Sequence, residues 1–533
     1  MLSCKWRESV ELAVVLRNAH HAGEAASALS AAVHGEPVAL PIEPDGRWGC
    51  VGKGGVGSRE LFTTTQEDDL MKKLFAMVLV LVMALAMVAG ASAEVNWKEF
   101  EGTKLQVMLN QHNYQKAVTD YGKLEEFEAL TGIDVEYSVT PEENYFDKLN
   151  IGLAARNGDP DIFMTGAYQV WDYASAGYME PLEDYINDPA KTEASYNFDD
   201  FYAGVVGTLC WDCIAGHPVG EGSQYAIPMG YELNNIAYNW KYFEENGIAL
   251  PEDTDQLLEL SKSLNGWNGE GSYGIAVRGT RNWATIHPGY MTLFSTWGGK
   301  DFEVEDGRLV CKLDSEEAIA MTDYWVKLVV EGSSPQWATF TWYEAGSHLG
   351  AGVAALLYDA TCNGYFQNYP AGASAESGNL GWFPGVVPAG SGLTAADIKS
   401  NVWVWSLGMN SYSDNKGGAW LFLQYFTSPE FMLFSGTEAA CADSPRASVA
   451  ESEAYKSIVG ASYGYLEALE VLLPNATIQF TPQPYFFETT TTWAATLQDL
   501  VEEYRTTGAC DTAAAMKALK AELDIAVEDI VCE

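Results

Sequence analysis

Basic residues are scarce in this chain of 533 residues. It has 30 lysines and arginines against 73 aspartates and glutamates, and its formal net charge at pH 7 is -43. This charge would repel a polyphosphate backbone at long range, which excludes nucleic acid as a partner. Histidines are also rare, with seven in the chain, and they lack the spacing of metal ligands. We therefore expect no metal and no cofactor.

Motifs of hydrolytic catalysis are absent as well. The sequence contains neither the G-x-S-x-G turn of a serine nucleophile nor the H-E-x-x-H helix of a zinc protease. A glycine-rich segment at residues 52–58 lacks the Lys-Ser/Thr pair that reaches phosphate and magnesium. We predict that the protein is not an enzyme. A secreted glycoside hydrolase stays open as an alternative, because two carboxylates suffice for that chemistry and acidic residues are plentiful.

Cysteines are few, with nine in the chain. Cys210 and Cys213 have the C-x-x-C spacing of half a zinc site or of a redox pair, but no second such motif follows. In an oxidising compartment the simplest expectation for this motif is a structural disulfide. The number of cysteines after residue 93 is odd, so at least one thiol should stay free.

One apolar run has the features of a targeting signal. Residues 71–73 are Met-Lys-Lys, residues 74–88 are apolar and residues 91–93 are Ala-Ser-Ala. This is the layout of a secretory signal peptide, and the run is short for a hydrocarbon core of about 30 Å. We expect residues 71–93 to be cleaved after Ala93 and the mature protein to be periplasmic or extracellular. Residues 1–70 would then be a disordered leader that results from a start codon assigned too early.

The chain after the signal alternates between strand and helix patterns. We expect strands at residues 105–109, 133–138, 161–164 and 273–277, and helices at residues 117–130, 145–156, 238–246 and 254–264. Such alternation predicts α/β domains with largely parallel sheets. Since no Pro- or Ser-rich linker divides the chain, we expect two α/β lobes joined by short crossings, with more than one passage between them.

Several segments together resemble a known family. They are Pro-Asp-Ile-Phe-Met at 160–164 with residues 176–182, the stretch 225–248, and residues 401–409 with the helix pattern at 418–430. This combination is similar to extracellular solute-binding protein family 1, the sugar-binding components of ABC importers, over residues 94–533. Residues 274–279, 357–361 and 403–405 resemble the sugar-alcohol binders of that family, which bind ligands such as mannitol or sorbitol.

The resemblance implies a two-lobed periplasmic-binding-protein fold with interlobe hinge crossings and a central ligand cleft. We expect the N-terminal lobe at residues 94–230 and 360–400, and the C-terminal lobe at residues 231–359 and 401–533. It also implies a monomer that binds a sugar or sugar alcohol by hinge closure and delivers it to the permease subunits of an ABC transporter. A protein of the same fold that binds a non-sugar solute stays open as an alternative.

Hydroxyl-rich ligands need hydrogen-bonding side chains beside aromatic rings. Asp359 ends an apolar strand pattern, where its carboxylate could bind two vicinal hydroxyls or cap a turn. Arg278 follows the strand pattern at 273–277 and could donate to hydroxyls or pair with a carboxylate. Trp403 and Trp405 share one face of a strand, where they could stack on the carbon skeleton or pack in the core.

The resemblance adds three further candidate ligand-binding residues. Tyr168 follows the strand pattern at 161–164, a position that faces the ligand in α/β sheets, although it could be a rim tyrosine. Glu232 lies at the expected first crossing, either as a hydroxyl acceptor or as a solvated hinge residue. Arg446 could close over the ligand or form a surface salt bridge.

Overall fold

The computed structural model describes residues 95–533. The expected leader, residues 1–70, and the expected signal peptide, residues 71–93, lie outside the described residues. Within residues 95–533, no helix combines the length and the apolar character that crossing a membrane requires.

The described residues form thirteen strands and nineteen α-helices. The strands, β1 to β13 in chain order, are Lys104–Asn110, Asp134–Thr140, Ile162–Thr165, Cys210–Trp211, Ser223–Gln224, Ala226–Glu232, Asn234–Asn239, Tyr273–Ala276, Phe302–Glu305, Arg308–Cys311, Ala354–Ala360, Leu380–Phe383 and Trp403–Met409. The helices, α1 to α19, are Asn113–Thr119, Lys123–Thr131, Glu142–Ala154, Ala167–Ser175, Glu183–Ile186, Ala203–Val206, Trp240–Asn246, Thr254–Ser263, Gly289–Trp297, Glu316–Gly332, Trp342–Gly350, Thr361–Asn368, Lys416–Phe426, Pro429–Glu438, Ala447–Ala450, Glu453–Val459, Tyr465–Leu472, Phe486–Thr507 and Thr512–Ala526.

Two sheets form the centres of two lobes. The first sheet has the strand order β2-β1-β3-β13-β6, and the second has the order β12-β7-β11-β8. In the first sheet β1 is parallel to β2 and β3, whereas β13 is antiparallel to β3 and β6. In the second sheet β11 is parallel to β8 and antiparallel to β7. The structure has the two α/β lobes expected from the alternating pattern, but the expectation of largely parallel sheets was wrong, because four of the seven strand pairings in them are antiparallel.

The central strands are buried along their whole length. Every residue of β3, β6, β7, β8, β11, β12 and β13 is buried, which explains why all of these segments except β7 are mainly apolar. By contrast, the edge strand β2 has one buried residue, Val135. The cleft-facing ends of the central strands therefore carry polar side chains into a dry interior.

The chain crosses between the lobes three times. Glu232 ends β6 in the first sheet, and Asn234 begins β7 in the second sheet, so the first crossing is a single residue, Leu233. The second crossing joins β12 to β13. The third crossing lies between α16 and Tyr463. Helix α16 packs on α14 of the first lobe, whereas Tyr463 forms a β-bridge with Gly381 of β12 in the second sheet.

Sheet pairing corrects the expected assignment of the later segments. Residues 360–400 were expected in the N-terminal lobe, but β12 pairs with β7 of the second sheet. Residues 401–533 were expected in the C-terminal lobe, but β13 pairs with β3 and β6 of the first sheet. The reason is that partner strands lie far away along the chain, so the pattern of a strand does not show which sheet it joins.

One expected helix is interrupted. Residues 117–130 have a helical pattern, yet the structure has α1 ending at Thr119 and α2 starting at Lys123. Gly122 precedes α2 with a φ of 76°, a left-handed conformation that glycine adopts without strain. Two helices therefore stand where the pattern predicted one, and the chain turns between Thr119 and Lys123.

Candidate functional site

A cleft lies between the two lobes, at the ends of β6, β11 and β13. Its inner cavity has a volume of about 20 Å³ and opens into an outer chamber of about 210 Å³. The inner cavity is lined by His112, Glu142, Glu232, Arg278, Trp283, His287, Trp342, Cys362, Trp403 and Trp405. Since these residues come from both lobes, whatever fills the cavity touches both at once.

Arg278 and Asp359 form a buried ion pair at one side of the cleft. Arg278 donates from Nε to Asp359 Oδ2 at 2.8 Å and from Nη2 to Oδ1 at 2.7 Å. This bidentate geometry suits a planar guanidinium. Burial alone would lower the pKa of Arg278, but the adjacent Asp359 carboxylate raises it above its usual value. Arg278 is therefore charged, and Asp359 orients it rather than facing the cavity itself.

One N–H of Arg278 is left over after its protein partners are counted. The Nη1 atom bonds with the carbonyl of Ala284 at 3.2 Å and with Nε2 of His287 at 3.0 Å. With the two bonds to Asp359, four of the five guanidinium donors are used. The second N–H of Nη2 is thus available to a ligand in the cavity that Arg278 lines.

Glu232, at the end of β6, also lines the cavity. The indole N–H of Trp405 donates to Glu232 Oε1 at 2.9 Å. Burial raises the pKa of Glu232 to about 8, although the charge of Arg278 lowers it in part. At neutral pH the carboxyl is mostly protonated, so that it can both donate and accept a hydrogen bond.

Aromatic rings form the wall that joins these polar groups. The rings of Trp403 and Trp405 meet edge to face with centroids 5.1 Å apart, and Trp283 lies 5.2 Å from Trp403. Gly166 permits this arrangement, because a Cβ there would lie 2.0 Å from the Trp403 ring. Trp403 and Trp405 therefore reach the cavity, as the two-residue period of their strand predicts.

The outer chamber is acidic. Glu142 and Glu143 line it together with Arg278, and Asp147 lines an adjoining pocket that shares Glu142 and Trp283. Burial raises the pKa of Glu142 to about 7, so this carboxyl is partly protonated at neutral pH. Arg278 is the only lysine or arginine among the described residues that line these three connected spaces, and its charge is already paired with Asp359.

His112, Glu232 and Cys362 form the one cluster in the described chain with the donor types of a metal site. Their donor atoms lie within 4.8 Å of one another. However, the backbone N–H of Tyr114 donates to His112 Nδ1 at 3.3 Å, which places the ring proton on Nε2 in the neutral imidazole. Coordination through Nε2 would require that proton to leave and the bond to Tyr114 to break. The donor set thus fits a metal poorly.

Besides Asp359, two more of the residues expected to bind ligand lie outside the cavity lining. Tyr168 donates from its hydroxyl to the carbonyl of Val402 at 2.9 Å and accepts from Asn401 Nδ2 at 2.8 Å. Its ring lies 5.2 Å from Trp403, and it is not among the residues that line the cavity. Tyr168 therefore supports the wall from behind instead of touching the cavity.

Arg446 also differs from its expected role. It is enclosed in the N-terminal lobe, where its guanidinium lies 3.8 Å from the ring centroid of Phe201 and 4.7 Å from that of Tyr196. Its Nε donates to the carbonyl of Thr427, and its Nη1 lies 3.5 Å from Asp200. Neither the expected closure over ligand nor a surface salt bridge describes this buried residue.

Several cavity residues escaped the sequence analysis. They are His112, Glu142, Trp283, His287, Trp342 and Cys362. The only signal for them is weak: His112 follows a strand, and Glu142 follows Pro141, the positions where α/β sheets present ligand-binding groups. Trp283 begins a short 3-10 helix and Trp342 begins α11. Nothing in the local sequence distinguishes either of them from a core tryptophan.

The expected disulfide is not formed. All seven cysteines of the described chain, Cys210 and Cys213 included, are free thiols. The thiol of Cys213 lies 3.4 Å from the hydroxyl of Tyr225, and its backbone has a φ of 63°. The C-x-x-C spacing therefore did not predict the state of these two thiols.

Two lobes around a shared cleft, joined by three crossings, are the architecture of a protein that closes on a solute. The sequence matches the bacterial extracellular solute-binding protein family over residues 112–432. It is 40% identical to the erythritol/L-threitol-binding protein of Mycolicibacterium smegmatis over 406 residues, which cover 76% of this chain and 83% of that protein. The chain belongs to this family of solute-binding proteins.

More distant relatives agree with this assignment. The mannitol-binding protein of Pseudomonas aeruginosa is 23% identical over 65% of this chain and 75% of its own length. A solute-binding protein of Agrobacterium radiobacter K84, solved with ribitol, has a TM-score of 0.67 at 19% identity and covers 79% of this chain and 98% of its own. These matches confirm the expected family and the two-lobed fold.

Proposed function

We propose that this protein binds a short, neutral sugar alcohol and delivers it to the permease of an ABC importer. The observation that carries the proposal is the composition of the inner cavity, which Arg278 and Glu232 line beside Trp403 and Trp405. Hydroxyls of a polyol match the polar groups, and its carbon-bound face matches the indole rings. The relative that is 40% identical binds erythritol and L-threitol by its name.

Charge supports a neutral ligand. A carboxylate or phosphate group would meet Glu142, Glu143 and Asp147 on its way in, and the one guanidinium in the cleft is already neutralised by Asp359. Hydroxyl groups carry no charge and can use the remaining N–H of Arg278. Sugar acids and sugar phosphates should therefore bind weakly.

Cavity size supports a short ligand. A volume of about 20 Å³ in the inner cavity has room for little more than a single oxygen-sized group. The outer chamber of about 210 Å³ supplies the rest of the space. A linear molecule with one end in the inner cavity fits this shape better than a branched or cyclic oligosaccharide.

Hinge closure is the mechanism that the contacts support. The Tyr343 hydroxyl of the second lobe donates to the carbonyl of Gln111 in the first at 3.2 Å, and Phe146 packs edge to face on Trp283 with centroids 5.7 Å apart. A ligand that bridges the lobes adds contacts only in the closed state, which shifts the population toward that state. No bond is made or broken, so the protein acts as a carrier and not as an enzyme. Export from the cytoplasm and a monomeric state complete the proposal.

Thermal denaturation tests this function. Erythritol or L-threitol should raise the melting temperature of the chain from Glu94, and D-mannitol should raise it less. Erythronate and maltose should leave the melting temperature unchanged, because only a ligand of the folded state raises it. Trp405→Phe removes the N–H bond to Glu232 and should raise the dissociation constant for the polyol about tenfold.

The matched control is Trp420→Phe. Trp420 is also buried and donates from its indole to Thr192 Oγ1 at 3.0 Å, but it lies outside the cleft. This variant should lose stability and keep its affinity. If no polyol raised the melting temperature, the proposed function would be refuted. If erythronate or maltose raised it, the ligand would be a sugar acid or an oligosaccharide and not a short neutral sugar alcohol.

A further inference from the structure

Histidine is an unusual residue type at a helix N-cap, and His112 caps α1. It precedes α1, and its Nδ1 accepts the backbone N–H of Tyr114. Ser, Thr, Asp and Asn are the residues preferred for this task. A histidine provides the same acceptor and adds a second nitrogen on the far side of the ring. In this chain that second nitrogen, Nε2, lies toward Glu232 and the inner cavity.

The helix cap determines which nitrogen carries the proton. Because Nδ1 accepts a hydrogen bond, Nε2 bears the hydrogen in the neutral ring. Burial lowers the pKa of His112 to about 3, so the ring is neutral throughout the physiological range. The ring is also held in place, stacked on Tyr114 at 5.0 Å and tilted against Trp405 at 5.2 Å.

One oxygen atom that lies beside His112 Nε2 and Glu232 Oε1 can contact both of them. Nε2 is 3.8 Å from Glu232 Oε1, which is too long for a direct hydrogen bond. An oxygen placed about 2.8 Å from both atoms would span this gap. The adjoining cavity of about 20 Å³ has room for such an oxygen.

We infer that His112 is a ligand-binding residue: its Nε2–H donates to one hydroxyl of the polyol, and the same hydroxyl bonds to the Glu232 carboxyl. This inference rests on the proposed function. It assigns the closed end of the cleft to a hydroxyl of the ligand, since a hydroxyl accepts from His112 and donates to Glu232 at the same time. It also assigns His112 two tasks, capping α1 through Nδ1 and holding the ligand through Nε2.

Two substitutions separate the two tasks. In His112→Asn the side-chain oxygen can still cap α1, but the side chain is too short to reach the cavity. In His112→Gln the amide can reach the position of Nε2, but Gln is not among the favoured caps. We expect His112→Asn to raise the dissociation constant for erythritol about tenfold, and His112→Gln to keep it within about threefold of wild type.

Titration calorimetry with erythritol and ligand-free melting temperatures are the readouts. The inference is supported if His112→Asn binds erythritol less tightly than His112→Gln does and, without ligand, melts at a higher temperature than His112→Gln. It is overturned if affinity follows stability in both variants, as it would for a purely structural histidine, or if His112→Asn binds like wild type. Failure of the wild type to bind any polyol would overturn the proposed function as well, which distinguishes the two failures.

Discussion

Arg278 and Arg446 are both buried arginines, and both have the sequence context of a ligand-binding residue, but they do different work. Arg278 forms two hydrogen bonds with Asp359 and lines the cleft. Arg446 is fully enclosed by the rings of Tyr196 and Phe201 and by backbone carbonyls. The two buried cations thus differ in that Arg278 lines the cavity and Arg446 does not.

The partners of the two guanidinium groups explain this difference. A bidentate carboxylate satisfies one edge of Arg278 and leaves an N–H for the cleft. Aromatic faces instead surround Arg446 and stabilise its charge through the ring quadrupoles, while Asp200 at 3.5 Å supplies a weaker ionic contact. We therefore assign Arg446 to stability and Arg278 to binding, and three experiments test that division.

The largest expected effect is on stability. Arg446→Met should lower the free energy of unfolding by about 3–5 kcal/mol, because removing one partner leaves Asp200 partly buried without its cation. Denaturant titration measures this change. The molecules that stay folded should bind erythritol as wild type does, and Arg281→Met, at a half-exposed arginine, serves as the control. A loss of affinity in Arg446→Met would erase the distinction between the two arginines.

The second effect is on binding. Arg278→Met combined with Asp359→Leu replaces the buried ion pair by apolar side chains, a change that is often close to neutral for stability. The loss of a charged donor should raise the dissociation constant for erythritol about 10- to 100-fold. Calorimetry on the double variant isolates this effect. If the double variant bound as wild type does, the pair would be structural like Arg446.

The third effect extends the comparison to a carboxyl and to pH. The folded-state pKa of Glu232 is about 8, above its usual value of 4.5, so its contribution to stability is full below pH 4.5 and is lost as pH rises through 8. Between pH 6 and pH 8 the ligand-free protein should lose about 2 kcal/mol through this group. Glu232→Gln, which is neutral at every pH, should remove that part of the loss.

Asp443 provides the matched control for this titration. It is enclosed away from the cavity lining, and burial raises its pKa to about 7. Asp443→Asn should also reduce the loss of stability with rising pH, but it should leave the pH dependence of erythritol binding unchanged. Equal effects of both variants on binding would mean that Glu232 does not face the ligand.

Local patterns predicted much of the fold. Apolar runs at residues 105–109, 161–164 and 273–277 lie within β1, β3 and β8 or differ from them by one residue at an end, because strands buried on both faces have no polar residues to confuse the pattern. They also placed Trp403 and Trp405 on one face. The expected lobes of β12 and β13 were wrong, since these strands pair with partners more than 140 residues away and such pairing has no local signature.

Sequence alone therefore determined the family, the two α/β lobes and four of the ten cavity residues, namely Arg278, Glu232, Trp403 and Trp405, because each lies at a strand end or crossing that the local pattern marks. Only the tertiary structure decided that Asp359 orients Arg278, that Tyr168 and Arg446 lie outside the cavity, and that His112 faces Glu232. The physical reason is that a side chain's role depends on what lies next to it, and those neighbours come from segments that are distant along the chain.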